Sequence, residues 1–390
     1  MRVTRITGKY ERSTVAGEAI DAFIPCNLPP ADPPLDLGGE VGVLLAQATE
    51  SLRLLELAGD LVPSIEWFVY AFVRKEAVLS AQIEGTQATL MDLLEVEASG
   101  EAPVDAGVEE VCGYVSALNF AWDQVERADG LPLSVRLLSQ VHARLLHGAR
   151  GATKQPGEIR QSQNWIGGTR PGNASFVPPP PHRLADLLSE FEQAIHGESE
   201  LPPLVRVGLL HVQFETLHPY LDGNGRLGRL LVALLLRHWG LLTRPMLYLS
   251  LFLKKHRQEY YRRLSAVREH GDWEGWLAFF LEGVKTVADE AVVTARRLHA
   301  IVNDNRALLL KQDDATVFSL RLFELLPEHP ILTVNRVVEL LDCSRPAAGK
   351  ALHVMQAAGI LTALDDRKKN RAFVFEEYLA DLRQGTELVG

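Results

Sequence analysis

Residues 218–229 read HPYLDGNGRLGR, and the patterns on either side of them decide the architecture. A helical pattern runs from Pro202 to Leu217 and ends at the histidine. A Gly-Asn-Gly turn follows, and a second helix is predicted from near Gly225 to Trp239, where Gly240 stops it. The same periodicity holds outward in both directions. It begins at Glu40, in Val41, Leu44, Leu45, Ala48, Leu52, Leu55 and Leu57. It returns over His182 to His196, Lys254 to Val267 and Trp273 to Leu281, then in an amphipathic stretch through Leu310. The chain therefore reads as all-α. Two segments depart from this. Up to about Gly39 the run CNLPPADPPLDLGG reads as irregular chain lying over the surface. From Gly157 to Pro181, two strand-like runs flank a Gly- and Pro-rich turn and four prolines close the segment, which predicts a β-hairpin with a rigid exit.

The polar KQDDA stretch marks a boundary near residue 315. Beyond it come helices at Val317 to Leu326 and Val334 to Leu341, a turn at Asp342 to Ser344 and a helix at Arg345 to Ala358. Strand-like runs at Ile360 to Ala363 and Arg371 to Phe375 flank DDRKKN. That order is the pattern of a winged helix-turn-helix. Arg345, Lys350 and His353 on its third helix, with Arg367, Lys368, Lys369 and Arg371 around the wing, are candidate phosphate contacts to DNA.

Composition narrows the classes. With 390 residues, 47% hydrophobic and 23% charged, the chain is globular and long enough for two or three domains. A net charge of -10 argues against nucleic acid as a partner of the whole molecule and leaves only a local basic patch for it. Cys26, Cys112 and Cys343 lie too far apart for a disulfide framework or a zinc site. No apolar run follows the charged start, so no secretory signal is expected, and Leu230 to Leu236 is too short to span a bilayer. A cytoplasmic protein without a membrane partner is the expectation.

The residue types at 218–229 suit phosphate chemistry. A turn of small residues followed by a helix N-terminus lets backbone N–H groups converge on an anion. Arg226 and Arg229, three apart, can share a helix face and add fixed-fork donors. Asp222 offers one hard oxygen of the kind that holds magnesium beside phosphates. His218 alone in the stretch exchanges a proton near neutral pH, which makes it the candidate general base. A Walker-type GxxxxGK[ST] loop is absent.

These residues resemble the Fic motif, HxFx(D/E)GNGRxxR, matched by His218, Asp222, Gly223, Asn224, Gly225, Arg226 and Arg229, with Tyr220 where phenylalanine is usual. That tyrosine is acceptable if its hydroxyl finds a partner. The likeness extends from about Phe23 to Val287, including FIPCNLPP and PMLYLSLFLKKHRQEYYRRL. The resemblance implies a Fic-type helical bundle with a β-hairpin flap, here at about Asn164 to Val177, which holds a target segment by strand-like pairing. It divides the chain into an N-terminal helical region (1–115), a Fic catalytic domain (116–290), a linker helix (291–315) and a winged-helix domain (316–390). It implies transfer of AMP from ATP, with Mg2+, to a Ser, Thr or Tyr hydroxyl of a protein substrate, the enzyme itself included. His218 would act as base and Asp222 as metal ligand. Gly223, Asn224 and Gly225 would cradle the phosphates, Arg226 and Arg229 would bind the outer ones, and Tyr260 and Tyr261 would pack the adenine. A homodimer is left open.

One further segment, SAQIEG, sets Ser80 and Glu84 four apart on one helix face with Gly85 as a stop. A carboxylate in a last turn is disfavoured by the helix dipole unless a partner offsets it. The segment resembles the family's inhibitory motif, (S/T)xxxE(G/N). That resemblance implies that Glu84 pairs with Arg229, displaces the γ-phosphate of ATP and leaves the enzyme autoinhibited. Two other readings stay open: removal of AMP at the same site, and an ATP-sensing DNA-binding regulator.

Overall fold

The prolines that make the early chain irregular begin only after a hairpin. In the computed structural model, which describes residues 5–61, 64–148, 152–364 and 371–388, β1 (Gly8–Val15) pairs antiparallel with β2 (Glu18–Pro25). The two-residue turn Ala16-Gly17 has φ of 52° and 83° and fits the strands' twist. This corrects the expectation of irregular chain up to Gly39. Ala-Gly is a weak turn signal, and the run Ile20, Ala22, Phe23, Ile24 is buried rather than alternating, so period two is obscured.

Helices then follow in order: α1 (Gly39–Leu61), α2 (Ile65–Ile83), α3 (Leu90–Ser99), α4 (Ala106–Glu126), α5 (Val135–Leu145), α6 (Leu184–His196), α7 (Pro203–Leu217) and α8 (Asn224–His238). After them come α9 (Ser250–Lys255), α10 (Arg257–His270) and α11 (Trp273–Leu310). The last is one 38-residue helix, so the expected linker beyond residue 290 continues a helix that begins at Trp273. It packs along α1. The centre of the molecule is α7, buried from Leu204 to Leu217 except at Arg206, with the polar His211, Gln213, Glu215 and Thr216 enclosed among its apolar residues. Each of its fully buried Leu or Phe side chains contributes about 1.5–3 kcal/mol by leaving water. Trp276 of α11 donates its indole N–H to the Gly208 carbonyl at 2.9 Å, which pins α11 across α7.

The expected hairpin between Gly157 and Pro181 is smaller than its sequence suggests. One β-bridge, Ile166 with Phe176, closes it, and a turn of 3-10 helix at Pro171–Asn173 fills the tip. Its prolines lack the N–H a ladder needs, and its glycines lose extra entropy when held extended. The first hairpin supports it: Phe23 donates its N–H to Val177 O at 2.9 Å, and Glu18 accepts from Gly172 N at 2.7 Å and from Arg170 at 2.9 Å.

The C-terminal region follows the expected order, with additions. It runs α12 (Val317–Leu325), β3 (Ile331–Thr333), α13 (Val334–Leu341), α14 (Arg345–Ala357), β4 (Thr362–Ala363), β5 (Ala372–Val374) and α15 (Glu376–Leu382). The strands form an antiparallel sheet in the order β3-β5-β4. Asp342, at φ 46°, ends α13, and Ser344 caps α14 by accepting from Ala347 N. Arg345, Lys350 and His353 are exposed along α14, and Arg371 is exposed before β5, while Arg367, Lys368 and Lys369 lie outside the described residues. The chain end returns to α2. Gln82 donates to Ala88 O (3.0 Å) and Thr386 O (2.9 Å), and Lys254 donates to Gln82 Oε1 and to Glu387 O, both at 2.6 Å. Among the described residues the cysteines are free, and no helix is long and apolar enough to cross a membrane.

Candidate active site

The site is the loop between α7 and α8. His218 caps α7 in the left-handed conformation, φ 46° and ψ 58°, which turns the chain sharply out of the helix. Its Nδ1 is buried without a hydrogen-bond partner. Burial, helped by the cations Arg268 and Arg160, pushes the imidazole down to about 3, so the ring is neutral and holds its proton-accepting form. Asn224 braces the loop from within: its Oδ1 accepts from Tyr220 N at 2.9 Å and its Nδ2 donates to Tyr220 O at 2.8 Å. Its side chain is thereby engaged, and a ligand would meet its backbone. The first intrahelical bond of α8 is Leu227 N to Gly223 O, which leaves the N–H groups from Asn224 to Arg226 at the open helix end. Tyr220 is buried, and its hydroxyl meets Ser139 Oγ at 3.1 Å, the partner its replacement of phenylalanine requires.

Both arginines face carboxylates. Arg229 is buried, donating from Nη2 to Glu84 Oε1 at 2.8 Å and to Ser80 O at 2.9 Å, and from Nε to Ser80 Oγ at 2.8 Å. The structure thus brings the end of α2 onto α8. Burial works against both charges, yet each partner outweighs it: Arg229 is raised, and Glu84 is held below the usual carboxylate range. Gly225 is what makes room. A Cβ there would stand 2.3 Å from Glu84 Oε1 and 3.1 Å from Arg229 Nη1. Gly85, at φ +95°, turns the chain away immediately after α2. Arg226 is held loosely, 3.7 Å from both Asp222 Oδ1 and Glu110 Oε2, and its Nε and Nη1 have no hydrogen-bond partner. Buried N–H groups of this kind at a helix N-terminus fit an anion. The Asp222 side chain is 47% exposed beside them.

The expected aromatic pair divides. Tyr260 is buried, its hydroxyl donating to His211 Nε2 at 2.8 Å, because His211 Nδ1 is occupied by Gly228 O. Tyr261 is 40% exposed beside it and is the ring available to a ligand.

Sequence reasoning missed several contributors. Arg160, buried, donates to His218 O (2.9 Å) and to Pro179 O (2.6 Å), tying the loop to the hairpin exit. Arg268 donates to Thr216 and Glu215 O and stacks on Phe176 at 4.1 Å. Thr86, just beyond Glu84, donates to Glu110 Oε2 at 2.7 Å. All three are joined to the site by tertiary contacts, which no local spacing announces.

Comparison with known proteins agrees with this architecture. Residues 43–123 match the family described as Fic/DOC family N-terminal, and residues 132–236 match the Fic/DOC family itself. A protein adenylyltransferase Fic of Drosophila willistoni is 28% identical over 215 residues, which is 54% of this chain and 40% of that protein. Its counterpart in Drosophila melanogaster is 27% identical over the same length. The chain thus spans well under half the length of these curated relatives. A Fic family protein from Desulfovibrio desulfuricans shares the fold with a TM-score of 0.56 at 20% identity, over 88% of this chain and 98% of that one. A Fic domain containing signaling protein from Bacteroides thetaiotaomicron aligns with a TM-score of 0.52 at 16% identity, over 65% and 98%. A helical core with an anion-ready turn between its two central helices defines the class. The matched segments are a Fic/DOC N-terminal region followed by a Fic domain.

Proposed function

We propose that the chain is an autoinhibited protein AMP transferase, moving AMP from ATP to a hydroxyl side chain of a protein. The observation that carries this reading is the buried Arg229, held by Glu84 and Ser80 over Gly225, where an outer phosphate would otherwise bind. When Glu84 swings away, Arg229 and the unpartnered N–H groups of Arg226 face the polyphosphate beside the open end of α8. The target's hydroxyl oxygen then bonds to the α-phosphorus, the bond to the departing pyrophosphate breaks, and the hydroxyl proton passes to the neutral His218.

Asp222 suits magnesium held by one carboxylate, phosphates and water. Among the described residues no three His, Cys, Asp or Glu side chains gather into an all-protein metal site. A bound magnesium ion would neutralise phosphate charge, while this chain's residues position the reactants. The exposed ring of Tyr261 is the candidate adenine contact, and the hairpin at 164–177 the candidate clamp for a target segment.

Incorporation of label from ATP labelled at the α-phosphate tests the reading. Glu84→Gly is expected to label itself or a lysate protein well above wild type, and Glu84→Gly/His218→Ala is expected to give no label. Equal labelling of all three would sink the idea. Residues 316–390 are read as a winged helix whose exposed Arg345, Lys350 and His353 on α14 suit DNA phosphates. A steep salt dependence in a gel shift supports that contact, and its absence makes the module a protein-binding one.

A further inference from the structure

We propose that His142 is a positioning residue for AMP transfer, a neutral imidazole of fixed tautomer that clamps the catalytic loop to the base of the flap. The geometry begins with Ser139 and His142 of α5 and Leu146 just past its end, which share one face. Ser139 Oγ meets the Tyr220 hydroxyl at 3.1 Å. The His142 ring stacks on the Tyr220 ring with centroids 3.8 Å apart and planes 16° apart. Leu146 lies against Gly223, where an added Cβ would come within 3.2 Å of Leu146 Cδ2. This face thus touches Tyr220 and Gly223 of the 218–229 loop.

The hydrogen bonds of the ring set its chemistry. Gly157 donates its backbone N–H to His142 Nδ1 at 2.8 Å, so Nδ1 carries no proton. Nε2 therefore carries it and donates to the Asp222 carbonyl at 2.9 Å. A ring that accepts at Nδ1 and donates at Nε2 is the neutral imidazole. Gly157, at φ +83°, lies so close to α5 that a Cβ would stand 3.0 Å from Ser139 O and 3.1 Å from the Ala143 Cβ. It leads directly into the strand of residues that carries Arg160 and the hairpin. A flat group that accepts at one edge, donates at the other and stacks on an aromatic ring is required here, and neutral imidazole supplies all three. The effect on chemistry is indirect: His142 holds the backbone of Asp222, and with it the carboxylate expected to meet magnesium, in register with the segment expected to hold the target.

This inference rests on the transferase reading for its kinetic part and on geometry alone for its structural part, and the experiment separates the two. Three substitutions are compared in the Glu84→Gly background: His142→Phe keeps the stack and loses both hydrogen bonds, His142→Gln keeps a donor toward Asp222, and His142→Asn keeps an acceptor toward Gly157. His142→Phe is expected to lower kcat by about 10- to 100-fold and to raise the Mg2+ concentration needed for half-maximal rate several-fold, as loss of outer-shell support does. His142→Gln is expected to recover most of both, and His142→Asn little of either.

Calorimetric affinity for ATP with and without Mg2+ gives a readout apart from turnover, and it should show the Mg2+-dependent part of binding weakened in the Phe variant. A Phe variant with parental kcat and parental Mg2+ dependence overturns the proposal, as does equal recovery by Gln and Asn. The 15N imidazole spectrum of the unsubstituted protein is independent of folding in the variants. It should show His142 neutral with its proton on Nε2 at pH 7, and a proton on Nδ1 overturns the clamp. If Glu84→Gly transfers no AMP while the tautomer and the Mg2+ effect on ATP affinity stand, the transferase reading fails and the clamp survives.

Discussion

Tyr220 carries its hydroxyl into a buried site where a phenylalanine would need none, and Ser139 answers it at 3.1 Å while His142 stacks below. Tyr220→Phe keeps the ring and loses one neutral hydrogen bond, so it is expected to cost about 1 kcal/mol in urea unfolding and to leave ATP affinity nearly unchanged. A loss several times larger would mean that the hydroxyl organises the whole loop. At His218 the expected signs diverge. The residue holds a left-handed backbone, a conformation that costs most side chains roughly 1–2 kcal/mol and that asparagine tolerates better. His218→Asn also removes a buried, unpartnered nitrogen. It is expected to abolish transfer yet melt at or slightly above the wild-type temperature. The residues of the loop were legible in the sequence because their chemistry is packed into twelve consecutive positions. His142, Arg160 and Glu110 were not, since each reaches the loop across more than fifty residues of chain and sits in no local pattern.

The end of α2 shows how one helix can both pack the core and hold Arg229. Residues 71–81 are buried except Arg74, and the stripe of Glu76, Ser80 and Glu84 delivers its polar groups toward α8 and α9 at helical spacing. Ser80→Ala removes the bond to Arg229 Nε but leaves the Ser80 carbonyl and Glu84 in place. Basal labelling should therefore rank wild type below Ser80→Ala and Ser80→Ala below Glu84→Gly. A Ser80→Ala protein as active as Glu84→Gly would place the restraint in the hydroxyl rather than in the carboxylate. The elements were legible in proportion to their length. Long amphipathic helices declared themselves by period, whereas β1–β2 hid behind an Ala-Gly turn and a buried apolar run. The hairpin at 157–181 read as two strands when a single bridge closes it.

At the scale of the molecule, buried titratable groups set the pH range. His142, His211 and His329 are pushed down to about 4 and His218 to about 3, each mainly by burial. An unfolded chain takes up protons at these imidazoles near their ordinary value of 6.5 and the folded chain does not, so their contribution is present above that pH and is lost as pH falls toward 4. Glu76 and Glu215 run the other way. Burial raises both to about 7, so their contribution is full below 4.5 and is lost as pH rises through 7. The imidazoles outnumber the carboxyls, and the melting temperature is expected to peak near about pH 7 and fall toward about pH 5. Thermal melts across that range check it, and a melting temperature that climbs on acidification would contradict it.

The chain end adds a consequence at the same scale. Gln82 lies two residues before Glu84 and donates to the carbonyl of Thr386, so the turn at Glu84 and the segment at Thr386 are linked through one hydrogen bond. Free energy around such a cycle must close. A partner whose binding pulls the C-terminal segment from Gln82, and thereby favours nucleotide by some factor, will itself be bound more tightly by that same factor when nucleotide is present.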